Sequence, residues 1–309
     1  MKTVFAEGMG PGMVYLGYRA AAWLSERLPL GAGNRVAGFG GRVAYRLAKN
    51  KRDIVRRNLR RVLKDEPDLE RYVRAAFDSY ARYWLETFRA ARYSKSDVLE
   101  LVRCDTLEVL EDAYARGAGI IVVTAHFGFY DLGVAWFGAK GHPMTTVAEV
   151  LRPRALFEWF ASSRERRGMP VIPARPADQA RARLVEIVEN GGGVALLADR
   201  DLGRRGIWVE LFGERTTIPA FPALLTVRTG ATLLTGAVHS TGGRSFRIDF
   251  ESLPYRLTGD EAADVEATAQ TIANGVERIV RTAPEQWHLF STNWPSDEPH
   301  LPPRGAGSS

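Results

Sequence analysis

Cysteine is nearly absent from the chain: Cys104 stands alone among 309 residues. That excludes an internal disulfide and any zinc site built from several thiolates. Long apolar runs are missing as well. The longest early one, residues 14–24, contains Arg19 and falls short of the roughly 20 apolar residues that a bilayer span needs. No basic segment leading into an apolar core marks a secretory signal at the start. No Gly-x-Ser-x-Gly string points to a nucleophilic serine, and no Lys-Ser/Thr follows Gly191-Gly192-Gly193 to make it a phosphate loop. His142, His239, His288 and His300 lack companions at metal-ligand spacing. The chain therefore calls for no metal and no resident cofactor. Zinc-finger, RNA-recognition and basic-zipper patterns are also missing, so nucleic acid is set aside as a partner.

What is present is a globular composition, 45% hydrophobic and 25% charged, with a net charge of +6. The positive charge is concentrated: residues 1–100 hold 20 Lys and Arg against 11 Asp and Glu, whereas the remainder is slightly acidic. Arg42, Arg46, Lys49, Arg56 and Arg60 recur at helical spacing, behind an apolar, aromatic segment that includes Val14, Tyr15, Leu16 and Tyr18. Such a pair suits an anionic membrane surface, and equally a core-packing helix followed by a solvated one. Helical periodicity covers 14–28, 35–49, 52–63 and 68–92. From about residue 105 the pattern alternates: strands at 119–125, 144–150, 170–173 and 193–198, with helices at 105–116, 129–139, 154–167 and 178–190. An antiparallel pair at 232–239 and 245–251 and a helix at 260–283 close it. This predicts an α/β fold with a mostly parallel mixed sheet flanked by helices. The expected division is a basic helical layer over 1–100 that contacts the membrane, an α/β core over 101–292 continuous with it, and a disordered tail over 293–309.

His126 ends the apolar run Ile120-Ile121-Val122-Val123-Thr124-Ala125, which places it at the carboxyl end of a buried strand, where open α/β sheets hold their ligands. An imidazole there can take a proton from a hydroxyl near neutral pH if a carboxylate fixes its tautomer. Two carboxylates compete for that place. Asp131 follows in His126-Phe-Gly-Phe-Tyr-Asp131, and Asp199 ends another such strand, in Ala198-Asp199-Arg200-Asp201-Leu202. The backbone N–H groups of Phe127 and Gly128 are candidate oxyanion donors at the start of a helix. Arg200 and Arg204 give the cleft mouth positive charge, as do Arg152 and Arg164 beside Phe157, Trp159 and Phe160. These arginines are candidate phosphate and substrate contacts. Trp136, Phe137, Trp159 and Phe160 line an acyl channel or pack the core.

Taken in order, His126-x4-Asp131, the acidic string at Asp199, Leu211-Phe212-Gly213 and Val227-Arg228-Thr229-Gly230-Ala231 resemble the glycerolipid-type acyltransferase superfamily. The resemblance narrows to the lipid A lauroyl acyltransferase branch and, within it, the phosphatidylinositol mannoside acyltransferases, over roughly residues 10–290. It implies an O-acyltransferase that moves a fatty acyl group from a thioester, acyl-CoA or acyl carrier protein, onto a sugar hydroxyl of a membrane glycolipid. Phosphatidylinositol mannoside is the expected acceptor, lipid A precursors are the alternative, and a non-catalytic membrane-binding protein on the same fold is the reading from another class. It also implies His126 as base with Asp131 and Asp199 as the motif acids. The mannoside enzymes carry glutamate at the position of Asp199. An acyl-CoA co-substrate, an anionic lipid partner and a peripheral place on the cytoplasmic face of the cell membrane complete the expectation.

Overall fold

The computed structural model describes residues 9–142, 144–201 and 203–297; Leu202, His300 and the rest of the expected tail beyond 297 lie outside them. The amino-terminal layer comprises α1 (Met9–Arg27), α2 (Leu30–Leu47), α3 (Lys49–Leu63) and α4 (Leu69–Ala90). Next come α5 (Lys95–Leu101), β1 (Val102–Arg103), α6 (Leu107–Ala115), β2 (Ile120–Thr124), α7 (Tyr130–Lys140), β3 (Met144–Ala148), α8 (Arg154–Glu165), β4 (Val171–Pro173), α9 (Ala177–Glu189) and β5 (Gly193–Leu197). Then follow β6 (Ile207–Leu211), β7 (Glu214–Ile218), α10 (Ala220–Thr229), β8 (Thr232–Gly242), β9 (Ser245–Ser252) and α11 (Glu261–Thr282), with short 3-10 turns at Pro284–Gln286 and Pro295–Asp297.

Seven strands form one sheet in the order β1-β9-β8-β2-β5-β3-β4, parallel at every step except the β8/β9 hairpin. β2 lies at its centre and its side chains are buried on both faces. Ile121 and Val123 face a core shared with α9, α10 and α11, while Ile120 and Val122 face one shared with α5, α6 and α7. Because both faces are covered, these strands read as continuous apolar runs rather than alternating ones. A third core of Val55, Leu59, Val73, Ala76 and Phe77 joins α3 to α4. Several helix ends are set locally. Asp68 accepts a hydrogen bond from Arg71 N to cap α4, and Asp260 accepts from Ala262 N and Ala263 N to cap α11.

Two expectations are corrected. The basic stripe is broken where α2 ends and α3 begins, at Ala48, and Arg56 is partly exposed and paired with Asp53 and Glu70. The tail does not begin at 293: Asn293 and Trp294 are buried, and Asp297 pairs with Arg57 and Arg61. The guanidinium of Arg61 also lies 4.2 Å from the Trp294 ring centroid. The β6/β7 hairpin, α5 and α10 had no counterpart in the sequence reading.

Candidate active site

The strand register builds the site. β2 and β5 are parallel neighbours whose last paired residues are Thr124 and Leu197. Ala198 N donates to Thr124 O at 2.8 Å, which carries the pairing one step further. His126 and Asp199 each lie two residues past that last pair, so they emerge side by side although 73 positions separate them. His126 Nδ1 is 2.7 Å from Asp199 Oδ1, and the His126 backbone N–H donates to Asp199 Oδ2 at 3.0 Å. The carboxylate is completely buried, whereas the imidazole keeps 28% of its surface open. Burial by itself would raise the Asp199 carboxyl; the imidazole and the N–H donors around it outweigh that and hold it below its ordinary value. With Asp199 ionised, Nδ1 carries the proton and Nε2 has its lone pair free for a substrate proton.

The other carboxylate does different work. Asp131, in the first turn of α7, is fully buried and makes no contact with the imidazole. Its oxygens receive Arg164 Nε at 3.0 Å, Arg164 Nη2 at 3.1 Å and Arg167 Nη2 at 3.2 Å, while its backbone carbonyl receives Arg167 Nη1 at 2.8 Å. Burial raises this carboxyl, and the two guanidiniums more than reverse the effect. Asp131 thus ties α7 to α8. Arg164 is correspondingly committed to Asp131 through a bidentate pair, while still bordering a recess of roughly 400 Å³ with Tyr83, Trp84, Leu151, Phe157 and Phe160. The Tyr83 ring, on the wall of that recess, lies 5.4 Å from the ring of His288.

The remaining candidates separate. Phe127 N donates to Ala125 O at 2.7 Å and Gly128 N to Gln286 O at 2.8 Å. Both donors are engaged within the protein, and α7 starts only at Tyr130, so neither N–H stands free at a helix start as expected. Gly128 instead serves the loop: at φ +62°, a Cβ there would sit 1.7 Å from Val238 O. Arg152 is exposed, beside the cis peptide to Pro153, and Arg200 and Arg204 are partly exposed in the loop after the carboxyl end of β5. Trp136 and Phe137 are core residues, 1% and 5% exposed, while Phe160 lines the recess.

Sequence reasoning missed the segment that closes over the dyad. Trp287 Nε1 donates to Asp199 Oδ2 at 2.9 Å, Asn293 Nδ2 to Asp199 O at 3.2 Å, and His288 N to His126 O at 2.6 Å. The His288 ring, given no role from sequence, sits beside His126 with Nε2 2.9 Å from Ser79 Oγ and with the Tyr80 and Tyr83 rings against it. Loss of surrounding water and the neighbouring imidazole push it down to about 3, so it is neutral at physiological pH. No spacing rule links these residues to His126; the adjacency of Trp287 and His288 was the one visible sign. Among the described residues no group of His, Cys, Asp and Glu could hold a metal ion, and no helix is long and apolar enough to cross a membrane.

Residues 11–296 match the family described as bacterial lipid A biosynthesis acyltransferase. This chain belongs to that family. It is 32% identical over 295 residues to the phosphatidylinositol mannoside acyltransferase of Mycolicibacterium smegmatis, with 94% of each chain covered. It is 32% identical to the phosphatidylinositol mannoside acyltransferase of Mycobacterium tuberculosis, over 90% of this chain and 88% of the relative. The lipid A biosynthesis lauroyltransferase of Escherichia coli is more distant, 25% identical over 86% of each chain. The protein is an acyltransferase, and the resemblance read from its motifs is borne out at family level.

Proposed function

We propose that the protein transfers a fatty acyl group from acyl-CoA to a mannose hydroxyl of a phosphatidylinositol mannoside at the cytoplasmic face of the cell membrane. The His126–Asp199 pair carries this reading, because a half-open imidazole with a buried carboxylate behind it is what deprotonating a sugar hydroxyl requires. The acceptor is favoured by relatives of that name covering nine-tenths or more of the chain.

In this mechanism Nε2 of His126 removes the hydroxyl proton as the oxygen attacks the thioester carbonyl. Asp199 stabilises the imidazolium without taking the proton. The tetrahedral adduct collapses, the carbon–sulfur bond breaks, and the thiolate leaves with the proton returned from Nε2. Base catalysis supplies about 10²–10⁴ of the rate, and proximity of the two bound substrates supplies a large share of the rest. No acyl-enzyme is formed. The exposed apolar side chains of α1 and α2, together with the basic residues around them, hold the protein on anionic lipid so that the acceptor reaches the dyad without leaving the bilayer.

The test is an assay with radiolabelled palmitoyl-CoA and purified phosphatidylinositol mannoside, a Kdo-lipid A precursor in parallel, and acyl carrier protein as alternative donor. Labelled mannoside that vanishes in His126→Ala is the expected product. Transfer only to the lipid A precursor, or only from acyl carrier protein, would replace the acceptor or donor. Vesicle binding without transfer in any combination would leave a membrane-binding protein on an acyltransferase fold.

A further inference from the structure

We propose that Trp287 is a positioning residue of the catalytic pair: its indole N–H holds one oxygen of the Asp199 carboxylate and so fixes the angle at which the other meets His126 Nδ1. The inference rests on the base role given above to His126. The terminal torsion of an aspartate is broad, so burial alone does not set the angle at which the carboxylate plane meets the imidazole. Here Oδ1 meets Nδ1 at 2.7 Å, and Oδ2 accepts two N–H groups, from the His126 backbone at 3.0 Å and from Trp287 Nε1 at 2.9 Å. The backbone donor belongs to the histidine loop itself. The indole reaches the carboxylate from a different segment of the chain.

Trp287 is 2% exposed, with its ring against Phe212 and edge-on to Trp294 at centroid distances of 5.4 and 6.2 Å. Its backbone pairs antiparallel with Phe127, flanked by Gly128 N donating to Gln286 O and His288 N donating to His126 O. One short segment therefore grips the histidine loop through its backbone and the aspartate through a side chain. Asn293 extends the grip, donating to Asp199 O and accepting Asp201 N on its Oδ1 at 3.3 Å. The segment is in turn fastened to α3, where Asn58 Nδ2 donates to Leu289 O at 2.8 Å and to Ser291 O at 3.2 Å. A buried indole N–H aimed at an already buried carboxylate gives the dyad one geometry.

The decisive experiment replaces Trp287 with phenylalanine and, separately, with β-(3-benzothienyl)alanine, which keeps the indole outline but has sulfur in place of N–H. The expected result is a kcat lowered about tenfold or more in both, the scale at which groups behind a catalytic residue act, with KM for each substrate within about twofold. A purely packing role would let the benzothienyl variant recover wild-type kcat, and that outcome overturns the proposal. A second readout does not depend on turnover: the His126 Nδ1–H proton resonance, assigned by its disappearance in His126→Ala, is expected to shift or broaden in the benzothienyl variant. An unchanged line rejects the positioning role even if no glycolipid is found to be acylated, which keeps the failure of this inference apart from failure of the functional reading.

Discussion

The two carboxylates near His126 look interchangeable in sequence and are not so in space. Asp199 to Asn would keep the fold but replace the acceptor for Nδ1–H with a group that also offers a donor, favouring the wrong tautomer; kcat is expected to fall about 10²–10⁴-fold, with unfolding by guanidinium little changed. Asp131 to Asn acts the other way. It leaves Arg164 and Arg167, both largely buried, without their counter-charge, and the cost should be about 3–5 kcal/mol of stability, read from the shift in denaturation midpoint. If Asp131→Asn is as stable as wild type, the buried pair does not hold α7 to α8. His288 gives a pH signature. Its folded value is near 3 against about 6.5 in the unfolded chain, so between those pH values only the unfolded state takes the proton. Stability from this group is full above about pH 6.5 and lost as pH falls toward 3. Between pH 7 and pH 5 the loss should be on the order of 1–2 kcal/mol, and His288→Gln should flatten that slope in denaturation curves measured at both pH values. The choice between Asp131 and Asp199 was not legible in sequence because it depends on strand adjacency. His-x4-Asp places Asp131 on the first turn of α7, pointing at α8, while the β2/β5 pairing brings in a residue from 73 positions away.

At the scale of elements, the sequence was most readable where burial was simplest. β2 and β5 are buried runs in a parallel sheet, so their apolar continuity announced them, and the amphipathic α4 and α11 showed their faces. What stayed hidden had mixed signals. The β6/β7 hairpin turns at Phe212 and Gly213, with φ of +56° and +81°, and a phenylalanine in the left-handed region is a poor turn marker. Helix α10 carries Pro222 in its first turn, where a missing N–H costs nothing but the letter reads as a breaker. The loop joining β2 to α7 is the element on which the site depends most. Gly128→Ala puts a methyl group at 1.7 Å from Val238 O and keeps a left-handed φ, so the loop must move and the bonds Gly128 N to Gln286 O and Phe129 N to Val238 O loosen together. The expected outcome is more than about 2 kcal/mol of destabilisation and loss of most transfer activity; an alanine variant with native stability and turnover would show that the loop tolerates a different path.

Over the whole molecule, charge and apolar exposure fall on the same third of the chain. Residues 1–100 carry nine more basic than acidic groups while the rest is slightly acidic. The same segment bears several large exposed side chains: Trp23 at 56%, Phe39 at 63% and Leu47 at 80%. Apolar exposure on helices that also carry basic residues is costly in water and suits an interface where rings and aliphatic chains enter the acyl boundary and cations meet phosphate. Each near-surface Lys or Arg adds on the order of 1 kcal/mol on anionic lipid, and that part fades as salt shortens the screening length below about 10 Å. Binding to phosphatidylglycerol-containing vesicles in a flotation assay should therefore weaken steeply between low and high salt. It should also fall about tenfold or more in the triple variant Trp23→Ser, Phe39→Ser, Leu47→Ser, since each lost side chain removes up to about 1.5–3 kcal/mol of burial. All three are exposed side chains of α1 and α2, outside the hydrogen bonds that hold the His126–Asp199 pair, so turnover on detergent-dispersed acceptor is expected to stay within about twofold. If the triple variant floats with vesicles as the wild type does, the amino-terminal helices are not the membrane-facing surface, and the acceptor must reach the dyad by another approach.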